Sequence, residues 1–195
     1  MNNKLILLGG GGHCISVLDT IERMGTYSDV VILDPNIKAG TLIAGHEVVG
    51  DDNVIPELKK NGFDNAFITT GSIVNTDIRR HIYSEISKYQ LSFPNIIDPS
   101  SVVSSYAKLG KGVFVGKKAI INAMAEIDDM VIINTGAIIE HECHIGEFTH
   151  IAVGAVVCGG TSIGKDSFIG ANTTVIQGLN LKDRSFYNAG ATVLK

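Results

Sequence analysis

The chain has 195 residues, 20 acidic against 16 basic, and a formal net charge of −4. With 45% hydrophobic and 18% charged residues it can build one sizeable core or two small ones, which excludes a disordered chain. Charge is spread evenly and no basic stripe forms, so nucleic-acid binding is not expected. The apolar stretch near the N-terminus is too short for a signal-peptide core. No uninterrupted run of ~18 apolar residues exists, so no membrane span is expected. Three cysteines, Cys14, Cys143 and Cys158, form no CxxC and fit a reducing cytoplasm. Zinc is poorly supported although Cys143 lies beside His141 and His144, and no metal is expected.

Lys4–Leu8 is a short apolar run ending in four glycines, Gly9 to Gly12. It predicts a buried strand followed by a tight loop. From His13 to Met24, apolar residues at Ile15, Leu18, Ile21 and Met24 have helical spacing, and Gly25 closes the helix. Val30–Leu33 predicts a second strand, ending at Asp34-Pro35. Leu42–Val49 predicts a small hairpin around Gly45, Asn53–Lys60 a short helix, Ala66–Thr69 a third strand and Thr76–Tyr89 a longer helix. This β-α-β-α-β-α order predicts a small parallel α/β domain over residues 1–94. Gly9-x-Gly11-x-x-Cys14 lacks the third glycine of the dinucleotide fingerprint. The loop still presents backbone N–H groups at a helix N-terminus, which suits phosphate. Asp34, at the end of the second strand, is placed for a ribose or base contact.

A different rule holds over residues 95–195. From Ile97 to Tyr187 every sixth residue is apolar, sixteen in succession without an insertion, and fifteen are aliphatic. The fifth place of each hexad is mostly small, and the second is often Gly, Asn or Asp. A helix recurs at 3.6 residues and an amphipathic strand at two, so neither explains a period of six. A three-sided coil does. Each side contributes one large and one small inward side chain, the corner takes Gly, Asn or Asp, and eighteen residues make one turn. Coils stacked at ~4.8 Å then bury a continuous ladder of Ile and Val.

His141 occupies the third place of its hexad, a corner, so its side chain leaves the prism. It is a candidate general base, since histidine as a residue type suits that role at physiological pH, and it equally fits a surface histidine in an acidic turn. Glu140 and Glu142 both flank it and either can hold one ring nitrogen. Gly159 follows eighteen residues later, so it should sit one coil above His141. A glycine there lets a ligand approach the backbone closely, and it equally serves a tight corner. Cys143 falls in the small, inward slot and is expected in the core.

The repeat [Ile/Val/Leu]-Gly-x-x-small-x resembles the hexapeptide repeat of acyltransferases with a left-handed parallel β-helix. Gly11-Gly12-His13 in an N-terminal α/β domain, Ile133-Asn134-Thr135-Gly136, and Glu140-His141-Glu142-Cys143-x-Ile145-Gly146 extend the likeness. Together they resemble the bacterial sugar O-/N-acyltransferases of the sialic acid O-acetyltransferase-like family. Within it the chain is most similar to N-acetyltransferases of UDP-4-amino-4,6-dideoxy sugars. The resemblance implies a Rossmann-like sugar-nucleotide domain over 1–94 and a left-handed β-helix acetyltransferase domain over 95–195. It implies a cytoplasmic homotrimer that uses acetyl-CoA, bound between neighbouring prisms, on a UDP- or GDP-linked amino sugar of bacillosamine or perosamine type. Glu142 is implied as the partner of His141. Gly11, Gly12, His13, Asp34 and Gly71 are implied as nucleotide contacts, and Asn134 and His150 as contacts near the amino and acetyl groups. Gly154, Gly170, Ala171, Ala189 and Gly190 are implied, with His150 and Gly159, as acetyl-CoA contacts. Lys165, Lys182 and Arg184 are candidates for the CoA phosphates.

Two features depart from the family. It often has two acidic residues where this chain has Asp34-Pro35, and its chains usually continue past the last repeat with a Gly-x-Pro-Ala-Lys/Arg tail. Two other functions fit the same residues: O-acetylation of a sialic acid-type sugar, and a non-catalytic hexapeptide scaffold.

Overall fold

The computed structural model describes residues 3–73 and 75–195. The chain divides into two compact units. One comprises residues 1–71 and 77–94, the other residues 72–76 and 95–195.

In the first unit β1 (Lys4–Leu8) runs between β2 (Asp29–Leu33) and β5 (Asn65–Ile68), parallel to both. Leu5 to Leu8 are buried, as expected of a central strand flanked on both edges. The hairpin of β3 (Leu42–Ile43) and β4 (His46–Gly50) extends the sheet, giving the order β3-β4-β2-β1-β5. Its two-residue turn, Ala44-Gly45, has positive φ at both positions (47° and 86°). That matches the twist of the flanking strands. Helix α1 (Gly12–Met24) buries Cys14, Val17, Leu18 and Ile21 and ends at Gly25 in the left-handed region. The helix expected over 53–60 is two pieces. A single 3-10 turn, Asp52–Val54, is capped by the Asp51 carboxylate, and α2 (Ile55–Lys60) follows with Pro56 in its first turn. Helix α3 spans Asp77–Ser87. Arg79, on this helix, is 1% exposed.

In the second unit the hexads form two-residue strands from Ile96–Ile97 to Thr192–Val193. The second residue of each strand is the apolar leader of its hexad. Each strand pairs in parallel with the one eighteen residues on, as in Ile121↔Ile139↔Val157. Three sheets of six, five and six strands result. Their inward column of Ile and Val, interleaved with Ala119, Ala125, Ala137 and Cys143, is one continuous buried core. The ladder has one more rung than the sixteen leaders of the sequence pattern, because Val193 is also buried in it. No helix among the described residues is long and apolar enough to cross a membrane.

The third place lies on the corner, as expected for His141, but the Gly, Asn and Asp of the second place do not make the turn. The chain turns at the third and fourth places, and the fourth carries the left-handed φ: 63° at Met124, 58° at Glu142, 66° at Gly160. The second place favours glycine for another reason. A Cβ on Gly146 would lie 2.5 Å from the Lys165 nitrogen of the next coil, so there the stacking distance selects the residue. The fold class expected from the sequence, an α/β unit followed by a left-handed parallel β-helix, is that of the structure.

Candidate active site

Stacking gathers the candidates by column. One corner carries Asn122-Ala123-Met124, then Glu140-His141-Glu142, then Cys158-Gly159-Gly160 in successive coils. His141 is exposed, and its Nδ1 lies 3.1 Å from Glu142 Oε2. A carboxylate only accepts, so Nδ1 donates to it, and in the neutral ring Nε2 is the nitrogen with the lone pair. Both side chains are more than 60% exposed, so this contact orients the ring and adds little stability. Gly159 lies directly against the ring: a Cβ there would sit 2.6 Å from Nε2. The Gly160 N–H donates to the His141 carbonyl at 2.9 Å, which ties the two coils together. The Gly159 N–H donates to no group of the described residues.

Sequence reasoning missed what holds Glu140. Asn122 Nδ2 donates to Glu140 Oε2 at 2.9 Å. That oxygen also accepts the longer 3.4 Å contact from the His141 backbone N–H. The eighteen-residue spacing from Asn122 to Glu140 is the signal that could have found it. Cys143 is buried, its Sγ donates to the Cys158 carbonyl at 3.2 Å, and burial raises its pKa. A buried thiol held in its neutral form is no nucleophile.

Asn134 and His150 meet elsewhere, at a second corner one sheet face away from His141. Asn134 Oδ1 accepts the Thr135 N–H, so its Nδ2 faces His150 Nε2 at 3.2 Å. His150 Nδ1 donates to the Ser72 carbonyl at 2.9 Å. The Phe168 ring stands nearly perpendicular to the imidazole, 5.3 Å away between centroids, and stacks in turn on Phe186. Both ring nitrogens of His150 are therefore engaged. Nothing in the local sequence announces the Ser72 contact.

The implied acetyl-CoA contacts Gly154, Gly170, Ala171, Ala189 and Gly190 all line this second corner. The N–H groups of Gly154, Gly170 and Gly190 serve the coil ladder. Gly170 is buried beneath the Ala189 backbone. The N–H groups of Ala171 and Ala189 donate to no group of the described residues. Lys165, Lys182 and Arg184 occupy the third corner, where Lys165 stands 4.0 Å from Asp183. His144 pairs with Asp128 at 3.1 Å on an exposed face.

In the first unit the glycine loop is ordered by Asp34. One carboxylate oxygen accepts the Gly10 N–H and the other the Asn36 N–H, both at 2.8 Å. Gly11 caps α1 without a side-chain hydrogen bond, and no acidic residue occupies the first turn. Gly11 and Gly12 are exposed, and a Cβ on Gly71 would lie 3.8 Å from His13 Cβ. Gly11, Gly12, His13, Asp34 and Gly71 thus cluster at the carboxyl ends of β1, β2 and β5. Open N–H groups there suit an anion.

Residues 4–86 match the family described as PglD N-terminal domain, and residues 142–177 match bacterial transferase hexapeptide (six repeats). No curated protein matches the chain. A variant of GDP-perosamine N-acetyltransferase from Caulobacter crescentus, solved with CoA and GDP-perosamine, is 31% identical. The match covers 100% of this chain and 90% of that one, with a TM-score of 0.89. The acetyltransferase domain of PglB from Neisseria gonorrhoeae FA1090 is 31% identical, covering 99% and 92%, with a TM-score of 0.91. The same domain in complex with acetyl coenzyme A is 30% identical, covering 99% and 93%, with a TM-score of 0.90. WeeI from Acinetobacter baumannii AYE, 18% identical with a TM-score of 0.56, shares the fold. Identity of this order along the whole chain, with an α/β unit and hexapeptide coils in the same order, places the chain in the family of hexapeptide-repeat sugar N-acetyltransferases.

Proposed function

We propose that the protein transfers an acetyl group from acetyl-CoA to the amino group of a nucleotide-linked 4-amino-4,6-dideoxy sugar. The observation that carries the reading is the first corner: an oriented imidazole with its Nε2 lone pair against a glycine whose N–H is uncommitted. The sugar amine attacks the thioester carbonyl, and His141 Nε2 takes the proton the amine loses. The Gly159 N–H donates to the oxyanion as it forms. The carbon–sulfur bond then breaks and CoA leaves as the thiolate, which takes up a proton. Glu142 holds the proton on Nδ1 throughout. No covalent enzyme intermediate is needed.

The division of the site residues between two corners supports assembly from several copies. The face between those corners carries outward Val102, Ile120, Ile138 and Val156, and Val102 is 62% exposed. An apolar column of this kind suits burial against another copy. In a trimer the His141 corner of one copy faces the Asn134–His150 corner of the next, with acetyl-CoA in the groove between them. Ala171 and Ala189 offer it backbone N–H groups, and Gly154 and Gly190 leave it room. Gly11, Gly12, His13, Asp34 and Gly71 of the first unit bind the nucleotide. Three free cysteines fit a reducing cytoplasm.

Incubation of the protein with acetyl-CoA and a panel of UDP- and GDP-linked amino and hydroxy sugars, with free thiol as the readout, tests this. Thiol release on a 4-amino sugar nucleotide is expected. Release on hydroxy sugars alone, or on none, would reject the reading.

A further inference from the structure

Two carboxylates, Glu140 and Glu142, flank His141, yet only Glu142 lies on its ring. A catalytic imidazole needs one defined partner. A second mobile carboxylate nearby would compete for Nδ1, draw on Nε2, and hold the ring protonated. Glu140 is kept from this by a contact one coil below. The Asn122 amide donates to Oε2 at 2.9 Å, and the same oxygen faces the His141 backbone N–H. Register places Asn122 directly beneath Glu140, through Ile121↔Ile139, so the two side chains meet without either leaving its column.

We propose that Asn122 is a positioning residue for the acetyl-transfer base. By holding Glu140 against the coil backbone, it leaves Glu142 as the sole carboxylate on the His141 ring and keeps Nε2 an acceptor. The inference rests on the function proposed above but does not depend on it for its test. The other groups facing this corner are few. Ala123 and Met124 in the coil below carry no ionisable group. In the coil above, Gly159 and Gly160 carry none, and Cys158 is the ionisable side chain next to them. Cys143, on the same coil as His141, is buried in the core. On the adjoining strand His144 pairs with Asp128 and stands beside Glu126, and the carboxylates next to His141 in its own corner are the two glutamates.

The test is nitrogen NMR of the His141 ring in the full-length protein, comparing the parent chain, Asn122→Ala, and Asn122→Ala with Glu140→Gln. In Asn122→Ala the released Glu140 should raise the His141 titration midpoint by about half a pH unit. Its ring nitrogens should also lose the single Nδ1–H signature. Adding Glu140→Gln removes the charge but keeps the shape, and should return both quantities to the parent values. A merely structural asparagine would not be rescued by that change. Parent-like titration and tautomer in Asn122→Ala, or no restoration in the double variant, would overturn the proposal. The NMR signals report on it whether or not a sugar nucleotide is acetylated. Where the substrate panel does support acetyl transfer, kcat/KM against pH should move its acid limb by the same amount, with KM for acetyl-CoA unchanged.

Discussion

His141 and His150 lie nine residues apart in one repeat array, and their surroundings are opposite. His141 occupies the third place of a hexad, on the turn, where its ring stands in solvent with one partner on Nδ1. His150 occupies the sixth place, on a strand, where its ring packs on Phe168 and both nitrogens are bonded. The first has a lone pair to receive a proton. The second has already spent its lone pair on Asn134 and its proton on Ser72. Register within the hexad, more than residue type, decides whether a histidine in this fold can act as a base or only hold a neighbour in place.

The largest effect should come from His141→Ala. Turnover is expected to fall by about 10²–10⁴-fold, the usual worth of a positioned base, with acetyl-CoA binding by calorimetry retained. A variant within a few-fold of the parent would erase the contrast between the two histidines. Gly159→Ala comes next. Gly159 has no left-handed φ, so alanine fits its backbone, but the new Cβ meets the imidazole at 2.6 Å. The ring must move off its axis, and kcat should drop by about 10²-fold with an unchanged melting temperature. An intact kcat would show that the contact is incidental.

His150→Ala sharpens the comparison from the other side. Loss of a ring that fixes Asn134 should raise KM for the sugar nucleotide by about tenfold. The pH dependence of kcat should stay that of the parent, since His150 moves no proton. A shifted pH profile would mean that its nitrogens exchange roles during turnover. His144→Ala, at an exposed pair with Asp128, should change stability by less than ~1 kcal/mol and leave turnover unaltered. It is the control that a histidine on the outer face of the prism is not functional by position alone.

The repeat period was fully legible in the sequence, because a large inward residue at every sixth place leaves few ways to wind the chain. From that period alone came the coil of eighteen, the Ile–Val ladder and the juxtaposition of His141 with Gly159. The turn register was less legible. Glycine is favoured at the second place by the closeness of the next coil, and at the fourth by a positive φ. The sequence shows the same residue for both reasons. Arg79 illustrates another limit: nothing in its charge or helical spacing marks it as buried, and packing buries it.

Short-range periodicity thus determined what can be computed along the chain: the α/β order, the prism, and which residues stack at multiples of eighteen. The same count brings Asn122 beside Glu140, but only the tertiary structure decided that its amide faces that carboxylate, which nitrogen of each histidine is engaged, and that the Ser72 carbonyl meets His150. Stacking repeats itself every coil and can be counted in a sequence. Hydrogen bonds are set by side-chain directions and by segments distant in the chain, such as Ser72 and His150, 78 residues apart, and no period encodes those.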